Sequence, residues 1–160
     1  RDHCVTGVQT CALPISSTIG GVRMGKKFKL DVVTPDRIFL EGETDMVILR
    51  TTEGDIGILY DHEPLVAPLK VGSMRVRQDD QTFKWAACSA GFLTVNEEKV
   101  TVVVDSAEWV DEIDVERALE AKKRAESRIQ DGPEKGVDIL RARLALERAI
   151  NRIRLYELNK

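Results

Sequence analysis

Three stretches decide the fold: Gly91-Phe92-Leu93-Thr94-Val95, Val100-Thr101-Val102-Val103-Val104, and Asp114-Val115-Glu116-Arg117-Ala118-Leu119. The first two are short apolar runs separated by the polar turn Asn96-Glu97-Glu98, which marks successive β-strands. In the third the period changes. From Asp114 to Gln130 the apolar residues Val115, Ala118, Leu119, Ala125 and Ile129 fall three or four positions apart, or multiples of that, which is helical spacing. A strand-built part therefore ends near Asp105 and a helical part follows.

Towards the N-terminus the strand pattern continues. Phe28-Lys29-Leu30-Asp31-Val32 alternates apolar and polar residues, the period of a half-buried strand. Arg37 to Leu40, Met46 to Thr51, Ile56 to Leu59, Leu65 to Leu69, Ser73 to Arg77 and Phe83 to Cys88 extend the series. Turn formers separate them: Thr34-Pro35-Asp36, Glu41-Gly42-Glu43, Glu53-Gly54-Asp55 and Gln78-Asp79-Asp80. Strands this short and frequent, with no helix between them, predict an antiparallel β-sandwich or barrel.

Towards the C-terminus, Asp131-Gly132-Pro133-Glu134-Lys135-Gly136 interrupts the helix, since Gly ends helices and Pro cannot continue one. Val137 to Leu158 resumes it, with Leu140, Leu144, Ile150 and Ile153 as its apolar stripe. At about 1.5 Å per residue the helices are roughly 25 and 33 Å long, and so short a connection predicts an antiparallel hairpin. The fold class expected is α+β in two parts: residues 24–107 a β-sandwich, residues 108–160 a helical hairpin. Residues 1–23 are set apart as a non-native leader, because Val5 to Ile15 resembles the translation of a sequencing adapter and Met24 is a natural start.

Of the 160 residues, 42% are hydrophobic and only 5% aromatic, so the core must be built from Val, Ile, Leu and Ala. A formal charge of −3 supplies no general attraction for nucleic acid. No apolar run is long enough to span a bilayer, so a membrane would be met only through a partner. Cys4, Cys11 and Cys88 suit neither a disulfide framework nor a zinc site; Cys88 reads as a small buried hydrophobe, and a reducing cytoplasmic setting fits. The chain has no P-loop and no nucleophile elbow, which argues against a free-standing enzyme.

The helices carry matched arginine triplets. Arg117, Arg124 and Arg128 stand at i, i+7 and i+11, and Arg141, Arg148 and Arg152 repeat that spacing. Each triplet keeps to a narrow stripe, giving each helix one basic face. A charged stripe is most often a solvated surface. Two matching stripes on one hairpin could instead grip a polyphosphate or an acidic protein surface, because the guanidinium fork pairs bidentately with phosphate and carboxylate. Asp114, at the start of the first helix, reads first as an N-cap.

From Phe28 onward these segments resemble the ATP synthase epsilon family. Thr52-Glu53-Gly54-Asp55-Ile56-Gly57-Ile58-Leu59 with His62-Glu63-Pro64-Leu65 is similar to its early signature. Gly72 to Val76, Ala90 to Val95 and Val100 to Glu108 are similar to later ones, in the same order. The resemblance implies a sandwich of about ten strands whose loops dock on the gamma shaft and the membrane c-ring. His62, Pro64 and Leu65 match the gamma side, and Glu53 and Asp55 the ring side.

The resemblance also implies a two-state tail, folded against the sandwich or extended along gamma towards the catalytic beta and alpha subunits, where it blocks rotation. Ile113-Asp114-Val115-Glu116-Arg117-Ala118 is similar to the nucleotide motif of family members that bind ATP. Carried over by position, Glu108, Asp114, Arg117, Ala118, Arg124, Arg148 and Arg152 become the candidate nucleotide site, and four of them belong to the arginine stripes. The function implied is that of a non-catalytic subunit, peripheral at the cytoplasmic face of a bacterial plasma membrane. It needs no cofactor, has ATP as a regulatory ligand, and binds no nucleic acid. A free-standing nucleotide-sensing or adaptor module is the alternative, and copurification with gamma separates the two.

Overall fold

Alternation of Leu, Val and Ile with polar residues buries one side of each strand and leaves the other to water. In the computed structural model, which describes residues 25–79, 82–132 and 138–160, that rule produces nine strands before the helices. The expected leader, Met24, Asp80, the connection 133–136 and Val137 lie outside the described residues. The strands are β1 (Phe28–Val33), β2 (Ile38–Thr44), β3 (Met46–Thr51), β4 (Asp55–Leu59) and β5 (Leu65–Asp79), then β6 (Thr82–Cys88), β7 (Gly91–Val95), β8 (Lys99–Val104) and β9 (Ala107–Trp109).

The pairing order is β2-β1-β8-β7-β5-β3-β4, with β6 beside β5 and β9 beside β6. Every pair is antiparallel except β1 with β8. Two expected strands, 65–69 and 73–77, prove to be the single 15-residue strand β5. Its first part pairs with β7 and its second with β6, so one strand serves both layers of the sandwich. The crossing point is Gly72, where a Cβ would strike the Arg50 side chain. Glycine is what allows β5 to pass there. The short strand β9 was not legible as a strand; it straddles the position at which the sequence reading divides the two parts.

The core holds Leu30, Val32, Val47, Leu49, Ile58, Met74, Leu93, Val102 and Val104, all essentially inaccessible to water. Burying each such side chain contributes about 1.5–3 kcal/mol relative to exposure. Cys88 is buried in the same cluster as a free thiol, and burial pushes its pKa up to about 12.

After a single 3-10 turn (Val110–Glu112) come α1 (Val115–Asp131) and α2 (Ile139–Leu158). Asp114 and Asp138 cap them, each Oδ1 accepting a hydrogen bond from the backbone N–H three residues on, at 3.0 Å. Such caps contribute about 0.5–2 kcal/mol. Gly132 ends α1 with φ 72°, a left-handed value that glycine adopts without strain. The helices pack on each other and α2 packs on β5 and β6.

The buried face of the hairpin differs from the expected stripe. Leu140 is 70% exposed, and Leu119, Leu144 and Ile150 also face water. Ala118 and Ala125 of the expected first-helix pattern are buried, and on the second helix Ala142, Ala149 and Leu155 are buried in place of the larger residues expected. Small side chains let backbones approach closely, so the alanines form the seam and the bulkier residues are left outside it. One anchor, Leu155, joins Ala87 and Ile113 in a small second cluster with Trp85, Val110 and Val115 around it. One hydrogen bond, from Asn151 Nδ2 to the Gly72 carbonyl at 2.9 Å, ties α2 to the point where β5 crosses between layers.

Candidate functional site

An open cleft of about 450 Å³ lies where the two helices meet the sandwich. Its helical walls come from α1 (Arg117, Ala118, Ala121, Arg124) and α2 (Ala145, Arg148, Ala149, Arg152). The sandwich and the segment leading into α1 supply Arg37, Ala107, Glu108, Glu112 and Asp114. All seven residues of the candidate nucleotide site are in this lining. Arg128 and Arg141, the remaining members of the two triplets, are not. Helix geometry brings Arg117 with Arg124, and Arg148 with Arg152, onto one side of their helices, and the hairpin sets those sides against each other.

The alanine seam explains why there is room. Larger residues at 118, 121, 145 and 149 would fill the space between the helices. Five arginines face three carboxylates in the lining, so the cleft has an excess of positive charge suited to an anion. One of those arginines is already engaged: Arg152 Nε donates to Glu108 Oε2 at 2.7 Å, pairing α2 with β9. Both side chains are about one-third exposed, so this pair is worth little by itself. It fixes where the two parts touch. Asp114 keeps its capping role, with Oδ1 held by the Arg117 N–H.

The lining includes no serine, cysteine, histidine or lysine. Its arginines can hold phosphate oxygens and its carboxylates can accept from hydroxyl or amino groups, which is the chemistry of binding. Among the described residues no group of three His, Cys, Asp or Glu side chains is placed to hold a metal ion. Sequence reasoning missed Arg37, Glu112 and the alanines 107, 121, 145 and 149. Arg37 and Glu112 lie outside the helical periodicity, so spacing could not have found them. The alanines at 121, 145 and 149 could have been found as the small positions between the arginine stripes.

The expected interface residues fall into two groups at opposite ends of β4, about 14 Å apart at strand rise. At one end, the turn Thr51–Gly54 is closed by Thr51 Oγ1 donating to the Gly54 carbonyl at 2.8 Å, and it presents Glu53 to solvent. Gly54 has φ 145°, which only glycine takes easily. Asp55 is held between Arg50 and Arg75. At the other end, His62 Nδ1 lies 2.8 Å from the Glu63 carbonyl, Pro64 is exposed, and Asp61 adopts the left-handed φ of 63°. His62 and Pro64 line a second open cleft with Lys27, Tyr60 and Lys99. The two groups therefore belong to different surfaces.

A further surface was not expected. Ile38, Val33, Val103, Phe92 and Pro68 are register partners across β2, β1, β8, β7 and β5, forming one row on the outer face of that layer. Ile38 and Phe92 are exposed, and the neighbouring Val66 is 71% exposed. Among the described residues no helix is long and apolar enough to cross a membrane.

Comparison with known proteins matches the chain to two family domains. Residues 27–110 match the ATP synthase delta/epsilon chain beta-sandwich domain, and residues 111–157 match the long alpha-helix domain of that chain. The ATP synthase epsilon chain of Desulforamulus reducens is 46% identical over 135 residues, which is 84% of this chain and 100% of that protein. The ATP synthase epsilon chain of Bacillus velezensis is 48% identical over 128 residues, 80% of this chain and 96% of the relative. Among solved structures, a chain of the Euglena gracilis mitochondrial ATP synthase, an OSCP/F1/c-ring assembly, matches with TM-score 0.66 and 26% identity, covering 81% of each chain. A chain of the Tetrahymena thermophila mitochondrial ATP synthase central stalk and c-ring shares the fold at TM-score 0.51 and 16% identity, covering 84% of this chain and 97% of that one.

Proposed function

The chain belongs to the ATP synthase delta/epsilon family, and on that premise we propose that it is a non-catalytic epsilon subunit in the central stalk of an F-type enzyme. In this reading it joins gamma to the c-ring, sits at the cytoplasmic face of the membrane only through the complex, and carries a hairpin that restrains ATP hydrolysis. The apolar row from Ile38 to Pro68 supports docking on another protein, since an exposed contiguous apolar strip marks an interaction surface. Gamma is the partner assigned to it and to the His62–Leu65 loop. The Glu53–Asp55 turn, at the far end of β4, is assigned to the ring.

The hairpin is read as a two-state element. Its buried positions are mostly alanine with Leu155 as the one large anchor, whereas Leu119, Leu140, Leu144 and Ile150 stand in water. A helix pair evolved for one docked state would bury its larger apolar residues. Leaving them exposed fits a second state, extended along gamma towards the beta and alpha subunits, in which they find partners.

ATP is proposed as the ligand that biases the two states. The observation that carries this is the gathering of all seven motif-derived residues into one arginine-rich cleft between hairpin and head. A polyphosphate there faces Arg117, Arg124 and Arg148, and the flat alanine seam leaves space for a base. A ligand shifts an equilibrium only by its differential affinity. At 100 times its dissociation constant, ATP specific to the docked state adds about 2.7 kcal/mol to that state. Falling ATP then releases the inhibitory form. The test is titration of ATP into the purified chain by calorimetry, with melting followed in parallel. Saturable binding and a raised melting temperature are expected, both weakened by Arg148→Ala with Arg152→Ala. No heat and no change in melting would end the ATP reading. Stoichiometric copurification with gamma tests the stalk assignment, and its absence would favour a free-standing sensor.

A further inference from the structure

We infer that Arg37, on the sandwich rather than the hairpin, is a phosphate-contacting residue of this cleft and makes the holding of the phosphates depend on docking. The inference rests on the nucleotide reading above and adds a residue that the helical motif does not contain.

Three observations carry it. First, Arg37 lines the cleft together with the helix arginines, although it belongs to the β1–β2 turn some 80 positions earlier in the chain, as the numbering gives. Second, its backbone is fixed. Thr34, itself buried, donates from Oγ1 to the Arg37 carbonyl at 2.8 Å, and the Thr34 N–H donates to the same oxygen at 3.0 Å. The Arg37 guanidinium then sits over the Phe39 ring at 5.7 Å, and Phe39 stacks on Trp109, the residue after Glu108, at 4.6 Å. Third, Arg37 forms no ion pair with any described carboxylate, while Arg152 in the same cleft is paired with Glu108. The head thus presents a positioned cation whose only described side-chain contact is an aromatic face.

The consequence concerns state selection. An anion held by helix residues alone would follow the hairpin wherever it goes, and would bind docked and undocked forms alike for as long as the two helices stay together. Such a ligand shifts nothing. An anion that also touches Arg37 can be fully bound only when the hairpin lies against the head. Arg37 therefore converts affinity into docking.

The test compares wild type, Arg37→Ala and Arg37→Lys as the full chain, with ATP as the probe. ATP affinity is measured by calorimetry, and amide exchange of residues 139–158 is measured without ATP and at saturating ATP. Arg37→Ala is expected to weaken ATP binding roughly tenfold, the size of one lost charge-assisted hydrogen bond. At saturation it should also lose most of the ATP-induced protection of α2, with Arg37→Lys recovering part of both. Melting without ATP should be unchanged, because the side chain is exposed. Unchanged affinity in Arg37→Ala would overturn the inference while leaving the nucleotide reading intact. Weakened affinity with full protection of α2 at saturation would overturn the docking role. If wild type itself binds no ATP, both readings fall, and that result is told apart from the others by the wild-type titration alone.

Discussion

The head and the hairpin are held together by different kinds of contact. In the head, β-branched and leucine side chains from β1, β3, β7 and β8 close over one another until Val32, Val47, Leu93 and Val102 have no exposed surface. In the hairpin, the buried positions are mostly alanines, and the attachment to the head rests on Leu155, the Asn151–Gly72 hydrogen bond and the partly exposed Arg152–Glu108 pair. Burial scales with apolar area, so the head gains far more from its core than the hairpin gains from docking. A deeply packed scaffold and a lightly attached appendage thus share one chain, which is the condition that the proposed control by a ligand requires.

Substitutions can break or sharpen that contrast. Leu93→Ala in the head should have the largest effect, about 2–5 kcal/mol, read as a lower urea midpoint for the whole protein. If Leu93→Ala left the midpoint in place, the head core would not be the scaffold described. Leu155→Ala removes the one large anchor of the hairpin and should cost about 2 kcal/mol of docking. It should appear as faster amide exchange across α2 with little change in exchange of β7 and β8; a matched loss in the strands would show one cooperative unit. Asn151→Ala deletes the tie to the Gly72 carbonyl and should cost about 1 kcal/mol, again confined to the hairpin.

The smallest effect at neutral pH comes from Cys88. Its thiol is raised from 9.0 to about 12 by burial, so the unfolded chain loses that proton at lower pH than the native head does. The resulting stability is fully present below about pH 9 and is lost as pH rises towards 12. Urea titrations should therefore show no Cys88-dependent change at pH 7 and a decline above pH 9 that Cys88→Ala removes. In the native state at pH 7 a thiol reagent should label Cys88 only at the rate of head opening, which makes it a reporter for the scaffold alone.

Much of the head could be read from the sequence because strand burial has a period of two, and residues such as Leu30, Val32, Val100, Val102 and Val104 declare their side directly. The joining of 65–69 with 73–77 was hidden, since Val71-Gly72 reads as an interruption when it is a crossing between layers. The hairpin was legible as two helices but not in its orientation. Hydrophobic size pointed to Leu140, Leu144 and Ile150, whereas close packing selected Ala142 and Ala149. For the cleft, periodicity located Arg117, Arg124, Arg148 and Arg152. Arg37 reaches it through tertiary folding, which no local pattern encodes.

The central claim is that the hairpin leaves the head as a unit while the head stays folded, and that ATP holds it in place. Native-state hydrogen exchange under increasing mild denaturant, with and without ATP, tests this most directly. The account predicts that amides of α1 and α2 exchange through a common opening well below the global one, that ATP slows this opening, and that β1, β7 and β8 exchange only by global unfolding. Helix and strand amides merging into a single opening at all denaturant concentrations, unaffected by ATP, would contradict it.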